Sequence, residues 1–255
     1  MSEQPRLDSL DSYYAVIKVL NKIGLFLFWI MVALSMVQLY YSKLHILNMV
    51  FLILSLIYFI LNTYVSYWYL PNTEEKRMAH LLSNSFRIAF NDEQTNRYYN
   101  NDVTPSILKL GINTFENTLF TSQISRIMAK KSSLIVLTYL IIWFIIILYR
   151  DSSLELISVI GQTIFTSHII TNVLKECILY VKTQRLQQEF YTLFLQCDGQ
   201  FEDNRFLNPK IIELVTKYET LKSSMAVSLD TNIFNKINQK TSSKWERIKK
   251  QLKID

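Results

Sequence analysis

The stretch IGLFLFWIMVALSMVQLYY (Ile23–Tyr41) contains no Asp, Glu, Lys or Arg. At about 1.5 Å of rise per residue, a helix of this length reaches across the roughly 30 Å hydrocarbon layer of a bilayer. Three more runs share its character: Ile46–Tyr69, Ser132–Tyr149 and Leu154–Leu174. Runs two and three are likewise free of charge. A helix in the core of a soluble protein is usually shorter and carries a polar stripe, so the runs predict transmembrane helices. Aromatic residues collect at their ends (Tyr40 and Tyr41; Tyr64, Tyr67, Trp68 and Tyr69; Tyr149). Tyr and Trp favour the interface because one end of the ring system is apolar and the other polar.

The basic residues set the orientation. Of 27 Lys and Arg, 24 fall before run one, between runs two and three, or after run four. The short connections carry only Lys43 and Arg150, and Lys175 sits at the end of run four. Lys and Arg in short loops are retained on the cytoplasmic side. The expected fold is therefore an all-α membrane protein with four transmembrane helices arranged as two short-looped hairpins, with helical cytosolic middle and C-terminal regions. Its parts are a cytosolic N-terminus (1–22), hairpin one (23–69), a cytosolic helical domain (70–131), hairpin two (132–174) and a cytosolic helical C-terminal region (175–255). The N-terminal run is not expected to be a signal peptide, because 22 residues including Asp8 and Asp11 precede it. The net charge of +6 suits a surface beside anionic headgroups. Since the membrane rule accounts for the basic residues, no direct nucleic-acid partner is expected.

Several function classes are disfavoured. The four prolines (Pro5, Pro71, Pro105, Pro209) all lie outside the runs, whereas secondary transporters build midplane sites from Gly- and Pro-broken helices. There is no phosphate loop, nucleophile elbow, H-E-x-x-H or metal cluster, so no enzyme, cofactor or metal is expected. Cys177 and Cys197 lack ligand or redox spacing.

In the middle region, Met78, Leu81, Leu82 and Phe86 have helical spacing over Glu74–Phe90. A second helix is predicted from Thr104 as N-cap and Pro105 at the first helical position to about Ala129. Beyond run four, an extension through Leu186, Phe190 and Leu193 is expected. Asn208–Pro209 signals a helix over Lys210–Ser224, and a short helix follows Asp230. In the tail, Ser242–Ile254, Trp245, Ile248 and Leu252 share one face, with Arg247, Lys249 and Lys250 elsewhere, and Ser243 with Glu246 has capping-box spacing. Trp245, Arg247, Lys249 and Lys250 thus mark a membrane-surface or partner helix, while docking on the protein's own cytosolic domain is the plainer alternative.

Polar residues inside apolar runs are costly unless paired or facing water. Asn48, Ser55, Asn62 and Ser66 in run two, and Ser35 and Gln38 in run one, suit hydrogen bonds between helices. In run four, Glu155, Ser158, Gln162 and Thr166 fall within about 80° of one another at 100° per residue. An oligomer could place that stripe around a water-lined path with Glu155 at a cation-attracting mouth; the alternative is pairing within one monomer. Between the middle helices, Arg97, Tyr98, Tyr99, Asn100, Asn101 and Asp102 could clamp and stack a cytosolic ligand or partner, or form a self-capping turn.

The layout, with the stretches RYYNND (97–102), LGINTFENTLF (110–120), LDTNIF (229–234) and SSKWERIKKQL (242–252), resembles multi-span membrane effectors of bacterial antiviral, abortive-infection systems, of the retron-linked or cyclic-nucleotide-signalled kind. The resemblance implies an inner-membrane protein that oligomerises and permeabilises or depolarises the membrane when a cytosolic regulator, protein or nucleotide, is sensed. The alternative is a non-conducting anchor or adaptor that recruits a cytosolic partner.

Overall fold

In the computed structural model the chain is all-α; it describes residues 10–41, 45–90, 103–148, 169–201 and 205–254. Helix α1 (Leu10–Tyr40) is followed by α2 (His45–Tyr64), a π-helical turn (Val65–Tyr69) and α3 (Leu70–Phe86). Then come α4 (Ile107–Leu148), α5 (Ile169–Cys197), α6 (Leu207–Met225) and α7 (Thr231–Leu252). No strand is present among the described residues.

α2, the π turn and α3 form one uninterrupted rod, His45–Phe86. The boundary expected between 69 and 70 is not a break in the backbone, although the nearby Pro71 has no N–H and its ring clashes with the carbonyl four residues back. The π turn absorbs that clash by widening the helix just ahead of Pro71: the Leu70 N–H bonds the Val65 carbonyl, five residues back. The apolar half of the rod is thereby joined rigidly to its polar half.

α4 also runs further than expected. The middle helix does not end near Ala129 but continues through Lys130 and Lys131 to Leu148. Two lysines punctuate hydropathy, yet they are good helix formers and stop nothing. At its start, Thr104 is not the N-cap. Ser106 takes that place, its Oγ accepting the Lys109 N–H at 3.2 Å while donating to the Thr104 carbonyl. α6 starts at Leu207, ahead of the Asn208–Pro209 signal. α7 is a single helix rather than two. Asp230 caps it by accepting the Asn232 and Ile233 N–H groups, and Ser243 bonds the Gln239 carbonyl inside it instead of opening a new helix.

Two pairs of helices run antiparallel. Gly24 of α1 lies against Leu61 and Tyr58 of α2, and nearer the N-terminus Tyr14 reaches Glu74 of α3. α4 pairs with α5 through Ser133–Cys177, Ser122–Gln187 and Phe115–Phe194. Around the first half of α4 and the second half of α5, helices α3, α6 and α7 close a dry core. Its centre is aromatic: the Phe115 ring stacks on Phe190 and Phe194 at 5.7 and 5.8 Å between centroids and meets Trp245 edge-on at 5.1 Å. Phe and Trp side chains packed this way contribute burial plus roughly 0.5–1.5 kcal/mol per favourable ring pair.

The opposite ends of the same helices are different. Ser12–Ser35 and His45–Phe86 are the two helices among the described residues long and apolar enough to cross a membrane, and only 22% and 11% of their apolar windows are buried. A core helix of a soluble protein would be mostly covered. The third apolar run forms the distal part of α4, where Leu134, Leu137, Phe144 and Leu148 are exposed. Most of the fourth run, 149–168, lies outside the described residues. Ser35 donates to the Met31 carbonyl and Asn62 to the Tyr58 carbonyl, each one turn back on its own helix.

Candidate functional site

Where the exposed apolar helices pass into the packed domain, four charged side chains meet, three of them buried and Glu219 nearly so. Glu74 and Arg77 come from α3, Glu219 and Lys222 from α6. The Glu74 carboxylate accepts from Arg77 Nε at 2.6 Å, from Lys222 Nζ at 3.1 Å and from the Tyr14 hydroxyl of α1 at 3.1 Å. Arg77 uses its Nη2 to hold Glu219 and lies 5.9 Å above the ring of Tyr218. The Tyr218 hydroxyl hydrogen-bonds Thr121 of α4 at 2.8 Å. Four helices that share no sequence neighbourhood are tied at one point.

Local structure makes this possible. Glu74 with Arg77, and Glu219 with Lys222, are each three residues apart and so share one helix face. α3 carries its pair straight out of α2 because the π turn keeps the rod continuous. Neighbouring Lys76, on another face, sits 3.8 Å from the centre of the Tyr13 ring of α1.

Two charges of each sign balance within the cluster. Burial alone would raise the Glu74 carboxyl pKa, but Lys222 and then Arg77 outweigh it and hold it at about 2. Burial likewise disfavours the Arg77 cation, and Glu219 and Glu74 more than compensate. The Tyr218 phenol is pushed up by burial and stays protonated. Breaking such a cluster by removing one member leaves an uncompensated buried charge, worth about 3–5 kcal/mol. Glu219 Oε1 is buried with no hydrogen-bond partner, so the cluster is under-satisfied on the α6 side.

The residues singled out from the sequence are placed as follows. Glu155, Ser158, Gln162 and Thr166 lie outside the described residues, as do Arg97, Tyr98, Tyr99, Asn100, Asn101 and Asp102. Trp245 is not on a lipid-facing or partner-facing surface: it is 1% exposed, fully inside the aromatic core. The reason is that α7 docks its apolar face on the domain, where the Trp245 ring meets Phe115 edge-on beside Phe190 and Phe194. Arg247 and Lys250 are exposed, and Lys249 turns inward to pair with Glu246 at 3.0 Å. The ion cluster was missed because Glu74, Arg77, Glu219 and Lys222 look like ordinary solvated helix charges. The one available signal was the repeated three-residue acid–base spacing beside apolar stripes.

A cleft of about 800 Å³ opens between α5 and α6, around Arg185, Glu189, Phe206 and Glu213. Its acids are already engaged: Lys217 pairs with Glu213 at 2.6 Å and Glu189 at 3.4 Å, and Lys210 with Glu213 at 2.9 Å. Among the described residues, no three His, Cys, Asp or Glu side chains are grouped to hold a metal.

Fold and site together define a class: an all-α protein in which helices fit to cross a membrane are locked by buried charges to a compact helical domain. The chain matches no protein-family model, no curated protein and no solved structure.

Proposed function

We propose that this chain is a four-span inner-membrane effector with both termini cytoplasmic. In this reading it oligomerises and permeabilises or depolarises the membrane when a cytosolic cue reaches its helical domain, in antiphage defence. What carries the reading is the rigid connection of unlike halves. The exposed apolar α2 and distal α4 continue without a break into the helices of a dry domain, α1 touches it through Tyr14 and Glu74, and the Glu74–Arg77–Glu219–Lys222 cluster ties α3 to α6. A domain joined to membrane helices through a buried, under-satisfied ion cluster has the means to pass a conformational change to them, because packed interfaces switch between discrete arrangements. The stripe Glu155, Ser158, Gln162 and Thr166 would line the path.

The test is membrane potential in bacteria expressing the chain together with any cue it requires. Depolarisation is expected, and it should vanish in the Gln162→Leu/Thr166→Leu variant while membrane insertion is retained. An unchanged potential with verified insertion and the cue present would overturn the proposal in favour of a non-conducting adaptor.

A further inference from the structure

The solvent face of α7 is a cationic array that the membrane does not explain. Lys236, Lys240, Lys244, Arg247 and Lys250 lie within an arc of about 120° at 100° per residue. They stand opposite the buried Thr241, Trp245, Ile248 and Leu252. Four of the five are exposed and Lys244 is half-exposed. Among the described residues none of them has a carboxylate at ion-pair distance, and the one acid in the stretch, Glu246, is paired with Lys249. With Trp245 seated in the core and Lys253 bonded to Asp198 at 2.7 Å, the array is held on a fixed helix spanning about 21 Å from Lys236 to Lys250.

Retention of basic residues on the cytoplasmic side acts within about 15–20 residues of a membrane span. Lys236 follows Leu174, the end of the last apolar run, by 62 residues. Geometry separates them too. Phe234, at the start of α7, meets Phe120 of α4 at 5.7 Å between ring centroids. Phe120 precedes Ser132 by 12 residues, or about 18 Å along the helix. The far end of α7 lies at Asp198, 24 residues beyond Leu174 on the α5 side, or about 36 Å. Headgroup charge is screened over about 8 Å at physiological salt. This distance argument rests on the bilayer placement proposed above.

The array's chemistry narrows the partner. Between the basic residues stand Asn235, Gln239, Ser243 and Gln251, all exposed, and no large apolar side chain of α7 is exposed. Protein interfaces are anchored by buried aromatic and aliphatic groups, and single-strand binders stack bases on aromatic side chains. Neither is offered here. Lys and Arg interleaved with Asn, Gln and Ser are the groups that bind phosphodiester oxygens. We propose that the outer face of α7 docks duplex nucleic acid by its phosphates, without reading sequence. This departs from the expectation of no nucleic-acid partner, which treated all basic residues as one membrane-facing set.

The test uses the full chain in neutral detergent and a fluorescein-labelled DNA duplex of about 20 base pairs, followed by anisotropy. Five phosphate contacts predict a slope of about −4.5 for log affinity against log salt, or roughly a 500-fold loss from 50 to 200 mM. Changing all five basic residues to Gln should abolish binding with an unchanged melting curve. The milder Lys240→Gln/Arg247→Gln pair should flatten the slope by about 1.8. The proposal is overturned by no binding at 50 mM salt, by binding that the substitutions leave intact, or by a single strand or poly-glutamate competing as well as the duplex. It is also overturned if nanodiscs rich in phosphatidylserine, but not neutral ones, shield Arg247 from trypsin, since α7 would then lie on lipid. Duplex binding in detergent is read independently of membrane leakage, so either can fail while the other stands.

Discussion

Replacing Glu74 by Gln keeps the shape of the side chain and deletes its charge. Lys222 Nζ, 5% exposed and 3.1 Å from Glu74, then loses the carboxylate that compensates it, while Arg77 retains Glu219. The damage should therefore be asymmetric, falling on the α3–α6 contact through Lys222. An orphaned buried charge of this kind is worth about 3–5 kcal/mol. For a chain of this size 1 kcal/mol shifts the melting temperature by about 2–4 °C, so a fall on the order of 10 °C is expected. Circular dichroism of the detergent-solubilised protein measures it. Adding Lys222→Met to Glu74→Gln removes the orphan and should recover at least about 1 kcal/mol relative to additivity. In cells, the single variant is expected to depolarise the membrane without a cue, because the clamp is loosened. If Glu74→Gln melts within about 2 °C of the native chain, or if the double variant is simply the sum of the singles, the cluster is not a clamp and the reasoning fails.

Acid should act on the same place. The Glu74 carboxyl is held at about 2, below its ordinary 4.5, so the unfolded chain binds the proton more readily than the folded one. Its contribution is present above about pH 4.5 and drains away as the pH falls toward 2; a pH series of melting curves should show this, and Glu74→Gln should flatten it. Gly111 meets α6 so closely that an added Cβ would sit 2.9 Å from Ile211. Gly111→Ala should therefore destabilise the chain by about 1–3 kcal/mol despite better helix propensity, with Ile211→Ala restoring part of the loss in the same melting assay. Asp230→Ala should lose about 1 kcal/mol, since it deprives two α7 N–H groups of their acceptor, and Asp230→Asn should lose less.

The helical elements were mostly legible, their ends less so. Apolar runs report where a helix is dry, and Leu186, Phe190 and Leu193 correctly signalled that α5 leaves the apolar region as a helix. Hydropathy does not report where a helix stops. It changes at Lys130–Lys131 and at Pro71, and the backbone continues through both, in one case by a π turn. The Ser243–Glu246 spacing looked like a start because capping boxes are local. α7 overrides it, since the helix capped at Asp230 packs on α4 on both sides of that spacing, through Phe234 and through Trp245.

By itself the sequence determined that this chain is helical and that it has helices long and apolar enough to cross a membrane, since length and uncharged composition are one-dimensional quantities. It also determined that the tail helix has one apolar and one basic face. Only the tertiary structure decided what those faces meet. It put Trp245 against Phe115, left Lys236, Lys240, Arg247 and Lys250 facing outward, and brought Glu74 and Arg77 to Glu219 and Lys222 across 142 residues of chain. Pairing between distant charges depends on which helix faces pack together, and that is settled by the fit of side chains in the core rather than by any spacing along the chain.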